Sequence, residues 1–148
     1  MNYESKQVAT WGIALAALLG LGGLVQGALF ALAGRQEALV GLGLVLVALL
    51  VANFAVLTVR VTDTEVRWSF GTGLIGRRVP LERVRGAAVR RSPWYWGWGI
   101  RWTPRGWLWR SSGLDAVWLE LAGGKQIGVG SPDPAGLAHA IQGGLKRP

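Results

Sequence analysis

The residues that decide the fold stand near the start of the chain, in two stretches without a charged side chain. The first, Gln7–Gly34, reads QVATWGIALAALLGLGGLVQGALFALAG, and the second, Ala38–Val59, reads ALVGLGLVLVALLVANFAVLTV. A helix that crosses a hydrocarbon core of about 30 Å needs roughly 20 apolar residues, and both stretches reach that length. The sequence therefore predicts a transmembrane helical hairpin, with spans at about 8–33 and 38–59.

A cleaved secretory signal is the alternative for the first stretch, because Ala31-Leu32-Ala33 has the small residues of a cleavage site. The apolar region of such a signal is about 7 to 15 residues long. This stretch runs for more than 20 residues behind a single Lys6, so its length favours a retained span.

The charges predict an orientation. The chain has 16 Lys and Arg against 8 Asp and Glu; two of each kind precede Thr58, so fourteen basic and six acidic residues follow it. Lys and Arg are retained on the cytoplasmic side of a membrane. Arg60 and Arg67 follow the second span closely, whereas the tip carries Arg35 beside Glu37. We therefore expect a multi-pass membrane protein, with both termini cytoplasmic and the tip outside.

Small residues in the first span bear on how the helices pack. Gly20, Gly23 and Gly27 would let another helix approach closely, and Gln26 requires a polar partner in lipid. These four residues predict a helix-packing face. A neighbouring copy of the chain would make the protein a homo-oligomer, and packing within the hairpin is the alternative.

Beyond Val59 the pattern changes to short strands. Apolar and polar residues alternate over 65–70 and 117–121, and the turn Gly123-Gly124 is followed by apolar Ile127 and Val129. The sequence thus divides into the hairpin, 1–59, and a cytoplasmic, mainly-β domain, 60–148.

A helix at about 134–145 ends the pattern. Asp133 stands at its N-cap and Pro134 at its first position, and apolar residues recur every four positions at Leu137, Ile141 and Leu145. His139, the only histidine, lies away from this stripe and is expected to face solvent.

Three segments carry a resemblance to a family. Val79–Val84 reads VPLERV and Tyr95–Arg101 reads YWGWGIR, and both precede the helix that begins Asp133-Pro134. In this order of parts the whole chain resembles the bacterial PH-like membrane proteins, in which two helices precede a pleckstrin-homology-like domain. The resemblance implies a seven-stranded barrel, or two near-orthogonal sheets, capped by a C-terminal helix, and often self-association. It implies no settled activity and assigns no ligand-contacting residue.

The segment Pro93–Arg110, PWYWGWGIRWTPRGWLWR, holds six of the nine tryptophans. Trp prefers the headgroup level of a bilayer, and nearby basic residues are attracted to anionic lipid. If the segment is extended, Trp94, Trp96 and Trp98 share one face. The predicted contact surface, for the inner leaflet or for a partner subunit, comprises Trp94, Trp96, Trp98, Arg101, Arg105, Trp107 and Trp109. Packing of about half of the tryptophans inside the domain is the alternative.

The inventory of reactive side chains argues against an enzyme. Cysteine is absent, histidine occurs once, and the carboxylates are scattered, so no metal site or catalytic set is expected and no cofactor is predicted. Gly71-x-Gly73-x-x-Gly76 matches a dinucleotide fingerprint but lacks its helix, and a hairpin turn is favoured. We expect a non-enzymatic, membrane-anchored binding or scaffold module of the bacterial plasma membrane, the bacterial source being what the resemblance implies. Its expected partners are anionic inner-leaflet lipid, further copies of the chain or another membrane protein. A membrane-tethered nucleic-acid-binding module is the less favoured alternative.

Overall fold

The computed structural model describes residues 2–34, 36 and 38–146, and the chain forms two compact units. Ala9–Ala55 form a helical unit, and the residues up to Val8 form a β unit together with those from Val56 onward. The helical unit is therefore an insertion between two strands of the β unit. The sequence analysis had placed residues 1–59 together, because it assigned no strand before the first span.

The helical unit consists of α1, Thr10–Leu32, and α2, Ala38–Phe54. A hydrogen bond of 2.7 Å from the amide of Ala9 to the carbonyl of Ala55 joins the two ends of the unit. Among the described residues, α1 alone is long and apolar enough to cross a membrane, with 23 residues and a mean hydropathy of 2.0. The predicted tip residues Arg35 and Glu37 lie outside the described residues.

The second predicted span extended too far. Helix α2 ends at Phe54, and strand β2 occupies Val56–Val61. Here Leu57, Val59 and Val61 are buried while the residues between them are more exposed, which is the alternation of a strand. Because Val and Leu suit a strand core as well as a membrane helix, the sequence showed no break at this point.

The first sheet of the β unit is antiparallel with the strand order β1-β2-β3-β4. Its strands are β1, Tyr3–Val8; β2; β3, Glu65–Phe70; and β4, Ile75–Pro80. Gly71 and Gly73 of the fingerprint lie on the turn between β3 and β4, as expected, with φ of 39° and 86°, and Gly76 lies in β4.

The second sheet has the order β5-β8-β9-β7-β6, with one parallel pair, β7 and β9. Its strands are β5, Val84–Arg91; β6, Gly99–Thr103; β7, Gly106–Arg110; β8, Asp115–Leu121; and β9, Gln126–Gly130. The predicted β8–β9 hairpin is confirmed, and Gly123 and Gly124 turn it with φ of 94° and 80°.

The C-terminal helix α3, Pro134–Leu145, is confirmed at its predicted bounds. Asp133 caps it by accepting a 2.9 Å hydrogen bond from the amide of Gly136. Leu137 and Ile141 are buried in the core of the β unit, while His139 is exposed.

The described residues thus form helices followed by a β-rich unit of two sheets and a C-terminal helix. The implied form with two sheets and a C-terminal helix is present, but the described residues form nine strands rather than seven, and the sheets do not close into a barrel. The strands include β1, which precedes the helices, and the edge strands are β1 and β4 in the first sheet and β5 and β6 in the second.

Candidate functional site

The chain leaves the β unit and returns to it at the same end, and the surface of this end differs from that of the opposite end. β1 ends at Val8 and β2 begins at Val56, and these two residues are paired. We call this side of the β unit the exit end. The amide of Gly71 donates a 2.9 Å hydrogen bond to the carbonyl of Val56, so the β3–β4 turn lies at the exit end too. Leu74 in this turn is 89% exposed.

Gln7 ties the second sheet to the same end. Its Oε1 accepts hydrogen bonds from the amide of Ser111, at 3.2 Å, and from the amide of Ser112, at 3.3 Å. The hydroxyl of Ser111 donates to the carbonyl of Gln7 at 3.2 Å. The connection between β7 and β8 is therefore at the exit end, and so are the strand ends that flank it.

The exposed aromatic residues of the exit end lie on a turn between β5 and β6. Trp94–Trp96 form one turn of 3-10 helix, and the amide of Ser92 bonds the carbonyl of Leu114 at 2.7 Å. We call the segment Ser92–Trp98 the aromatic turn. Trp94 and Tyr95 are 71% and 69% exposed and meet edge to face at 6.1 Å. The segment is not extended here, so the condition under which Trp94, Trp96 and Trp98 would share one face is not met.

Arg110 fixes the aromatic turn through hydrogen bonds to its backbone. Its side chain is fully buried, and its Nη2 and Nε donate to the carbonyl of Gly97 at 2.7 and 3.2 Å. Nη1 donates to the carbonyl of Leu114 at 3.4 Å, and the guanidinium lies 5.9 Å from the ring centre of Trp98. Burial lowers the pKa of Arg110. The planar fork of the guanidinium thus fixes backbone carbonyls that would otherwise need water.

Two of the predicted surface tryptophans serve packing. Trp96 is half-buried against Leu108, Ala116 and Trp118, with its ring 6.2 Å from that of Trp118. On the other face of the second sheet, Trp109 is only 8% exposed and packs against two residues of β3: it stacks on Phe70 and meets Trp68 edge to face, both at 6.0 Å. Its burial removes Trp109 from the surface set.

Basic side chains surround the aromatic turn. Arg90 and Arg91 end β5 and are exposed, with Asp115 opposite Arg91. Exposed Arg101 donates from Nε to the carbonyl of Trp98 at 3.0 Å. The exit end therefore joins apolar rings and cations on one surface. Sequence reasoning missed Leu74, which strand pairing places at the exit end, and it left out Arg90 and Arg91, which directly precede the aromatic turn in the sequence.

Arg105, on the β6–β7 turn, and Trp107, near the start of β7, lie at the opposite end of the second sheet. Trp107 is 42% exposed and meets Trp102, 70% exposed, edge to face at 5.2 Å. An open cleft of about 400 Å³ lies beside them and is also lined by Arg77 and Lys125. The predicted surface is thus split between two ends, and sequence reasoning missed Arg77, Trp102 and Lys125 because they come from separate strands and turns.

The predicted helix-packing residues lie in α1 of the helical unit. A Cβ added at Gly23 would come within 2.7 Å of the carbonyl oxygen of Gly41 in α2, so the helices of one chain approach closely there. A Cβ added at Gly20 would lie 3.6 Å from the Cβ of Ala48, and one added at Gly27 would lie 3.7 Å from the Cα of Gly41, which are ordinary contact distances. Gln26 is half-buried. Packing within the hairpin accounts for Gly23 without a second copy of the chain.

Within the described residues, no group of three or more His, Asp or Glu side chains could hold a metal ion.

Known proteins offer no family assignment. No protein-family model and no curated protein matches this chain.

Proposed function

We propose that the protein is a non-enzymatic module anchored in the bacterial plasma membrane by the α1–α2 hairpin. In this proposal the exit end of its β unit rests on the anionic inner leaflet. The anchor is supported by the exposed leucines of α1, which the chain itself does not cover. Leu18, Leu21 and Leu24 are 70%, 64% and 63% exposed. Helix α2 has 17 residues, about 26 Å at about 1.5 Å each, which is within the range of a short span.

The observation that carries the proposal is the location of the aromatic turn at the exit end. Only Ala9 separates β1 from α1, and only Ala55 separates α2 from β2. A bilayer that holds the hairpin would therefore begin close to Val8 and Val56. Trp94, Tyr95 and Leu74 are exposed at the same end of the β unit, and in this proposal they enter the headgroup layer, where indole and phenol rings are stabilised.

Electrostatics acts in the same direction. Arg90, Arg91 and Arg101 surround the aromatic turn, and each basic residue near an anionic surface contributes about 1 kcal/mol. The same charges, with the basic excess that follows the second span, favour a cytoplasmic location for the β unit and both termini. The tip of the hairpin then lies outside.

The PH-like assignment belongs to this proposal as well. Two sheets followed by a C-terminal helix, with helices near the start of the chain, agree with the order of parts in that family. The contribution of β1 from before the anchor and the open edges of both sheets depart from it. We propose a PH-like scaffold in which the anchor is inserted between two paired strands.

A spin-label experiment on the full chain tests the proposal. Cysteine is absent from the sequence, so Tyr95→Cys gives a single label at the exit end and Lys125→Cys a matched label at the opposite end. In vesicles containing anionic lipid, we expect the label at 95 to collide with lipid-soluble oxygen and the label at 125 with an aqueous nickel chelate.

Equal exposure of both labels to the aqueous reagent would contradict the membrane contact. Shielding of position 95 from both reagents would instead assign the aromatic turn to a neighbouring subunit. Replacing Arg90 and Arg91 with Gln should weaken the headgroup contact by about 2 kcal/mol at low salt, and by less as salt screens the charges.

A further inference from the structure

The cleft at the end opposite the exit end has the composition of an anion site. Its volume is about 400 Å³, which suits a small molecule. Arg77 enters it from β4, Arg105 from the β6–β7 turn and Lys125 from the β8–β9 turn, and no carboxylate is among its described lining residues. Three cations from three separate elements converge on one concave surface.

The same cleft offers aromatic and apolar surface. Trp102 and Trp107 form one wall, and Trp102 is 70% exposed, so most of its side chain is accessible to a ligand. Leu121 and Ile127 contribute apolar atoms. A site of this kind can accommodate a planar ring beside a charged group.

The turn that carries Arg105 is held in one conformation. The hydroxyl of Thr103 is buried and donates to the carbonyl of Gly106 at 2.7 Å, and it accepts from the amide of Arg105 at 3.3 Å. Gly106 has φ of 134°, and a Cβ there would collide with the carbonyl of Gln126. The β6–β7 turn is therefore locked against β9, and Arg105 is presented to the cleft without ordering of its backbone on binding.

We propose that this cleft binds a nucleotide, with the phosphate held by Arg77, Arg105 and Lys125 and the base stacked on Trp102. A phosphate requires several convergent donors, and a base requires an exposed aromatic face; the cleft supplies both. A lipid headgroup such as glycerol phosphate uses the cations but leaves the indole unused. The site is independent of the membrane contact proposed above, because it lies at the other end of the β unit.

The shared chemistry, a phosphate attached to a planar base, can come from a free mononucleotide or from a single-stranded nucleic acid. Titration calorimetry on the full chain in nanodiscs of zwitterionic lipid separates these sources with three probes: AMP, glycerol 3-phosphate and an eight-nucleotide oligo(dT). We expect AMP to bind at low salt and glycerol 3-phosphate to bind at least about tenfold more weakly, since it lacks stacking. Oligo(dT) binding more than about a hundredfold tighter than AMP identifies a single strand as the source, and a smaller difference identifies the free nucleotide.

Substitutions locate the binding. Arg105→Gln and Trp102→Ala should each weaken AMP by about tenfold, whereas Arg67→Gln, which removes an exposed cation outside the cleft, should leave it unchanged. Both cleft residues are exposed, and an unchanged circular dichroism spectrum checks folding. The proposal is overturned if neither AMP nor oligo(dT) binds. It is also overturned if Trp102→Ala has no effect and glycerol 3-phosphate binds as tightly as AMP.

Discussion

Removing Arg110 should loosen the aromatic turn and destabilise the β unit. The guanidinium donates two hydrogen bonds to the carbonyl of Gly97, at 2.7 and 3.2 Å, and a longer one to that of Leu114. Hydrogen bonds from a charged donor contribute about 1.5–3 kcal/mol each, and burial of the charge opposes them by several kcal/mol. Arg110→Met removes both the hydrogen bonds and the cost of burying the charge, but it leaves the Gly97 carbonyl without its donor. We therefore expect a net loss of about 3 kcal/mol.

Arg110→Lys should cost at least as much, about 3–5 kcal/mol. The ammonium keeps the buried charge but lacks the planar fork that reaches the carbonyls of Gly97 and Leu114 together. Arg90→Met, at an exposed position on β5, is the matched control and should change stability by less than about 0.5 kcal/mol.

Thermal unfolding of the full chain in detergent, followed by near-ultraviolet circular dichroism, measures these losses. A loss of about 3 kcal/mol corresponds to a fall in Tm of roughly 10 °C for a chain of this size. A label at position 95 should gain mobility in both Arg110 variants. A Lys variant as stable as the parent, or a Met variant more stable than it, would refute the reasoning that the fork organises the aromatic turn.

Three further substitutions test the packing and the termini of the elements. Gly41→Leu should destabilise the helical unit by several kcal/mol in a detergent thermal melt, because a Cβ there would lie 2.5 Å from the carbonyl oxygen of Gly23. Gly43→Leu is the control and should be tolerated, because a Cβ at Gly43 meets open space. Equal melting temperatures of the two variants would contradict close packing within the hairpin. Gln7→Ala should cost about 2 kcal/mol in chemical unfolding by leaving the amides of Ser111 and Ser112 without their acceptor, with Lys6→Ala as the exposed control. Asp133→Ala should cost about 1 kcal/mol through loss of the cap on α3, compared with almost nothing for His139→Ala, and a neutral Asp133→Ala would show that the cap does not stabilise the helix.

Local patterns were sufficient for some elements. Helix α3 has a capping Asp133, Pro134 and a four-residue apolar repeat, and the β8–β9 hairpin has a glycine turn between alternating strands, so each could be predicted from adjacent residues. Strand β1 could not. Its buried positions include Ser5 and Gln7, which are satisfied by Ser131 and by Ser111, more than a hundred residues away. A polar residue buried by a distant partner leaves no local hydrophobic signal.

The candidate site was predictable by composition but not by location. Trp94 and Trp109 are the same residue type in the same segment, yet one is 71% exposed and the other 8%. Their difference arises from pairing with distant strands, because Trp109 faces Phe70 of the first sheet and Trp94 lies on a turn. The burial of Arg110 has the same origin. Sequence reasoning therefore found the aromatic and basic segment, while the structure separated it into two ends.

The most direct test of the account is the topology of the chain in the membrane of intact bacteria. Single cysteines at Gln36, in the tip, and at His139, exposed on α3, can be treated with a membrane-impermeant maleimide. The account predicts that position 36 is labelled from outside and position 139 only after the cells are permeabilised. Labelling of position 139 in intact cells, or protection of both positions until permeabilisation, would contradict a two-span anchor that holds the β unit against the inner leaflet.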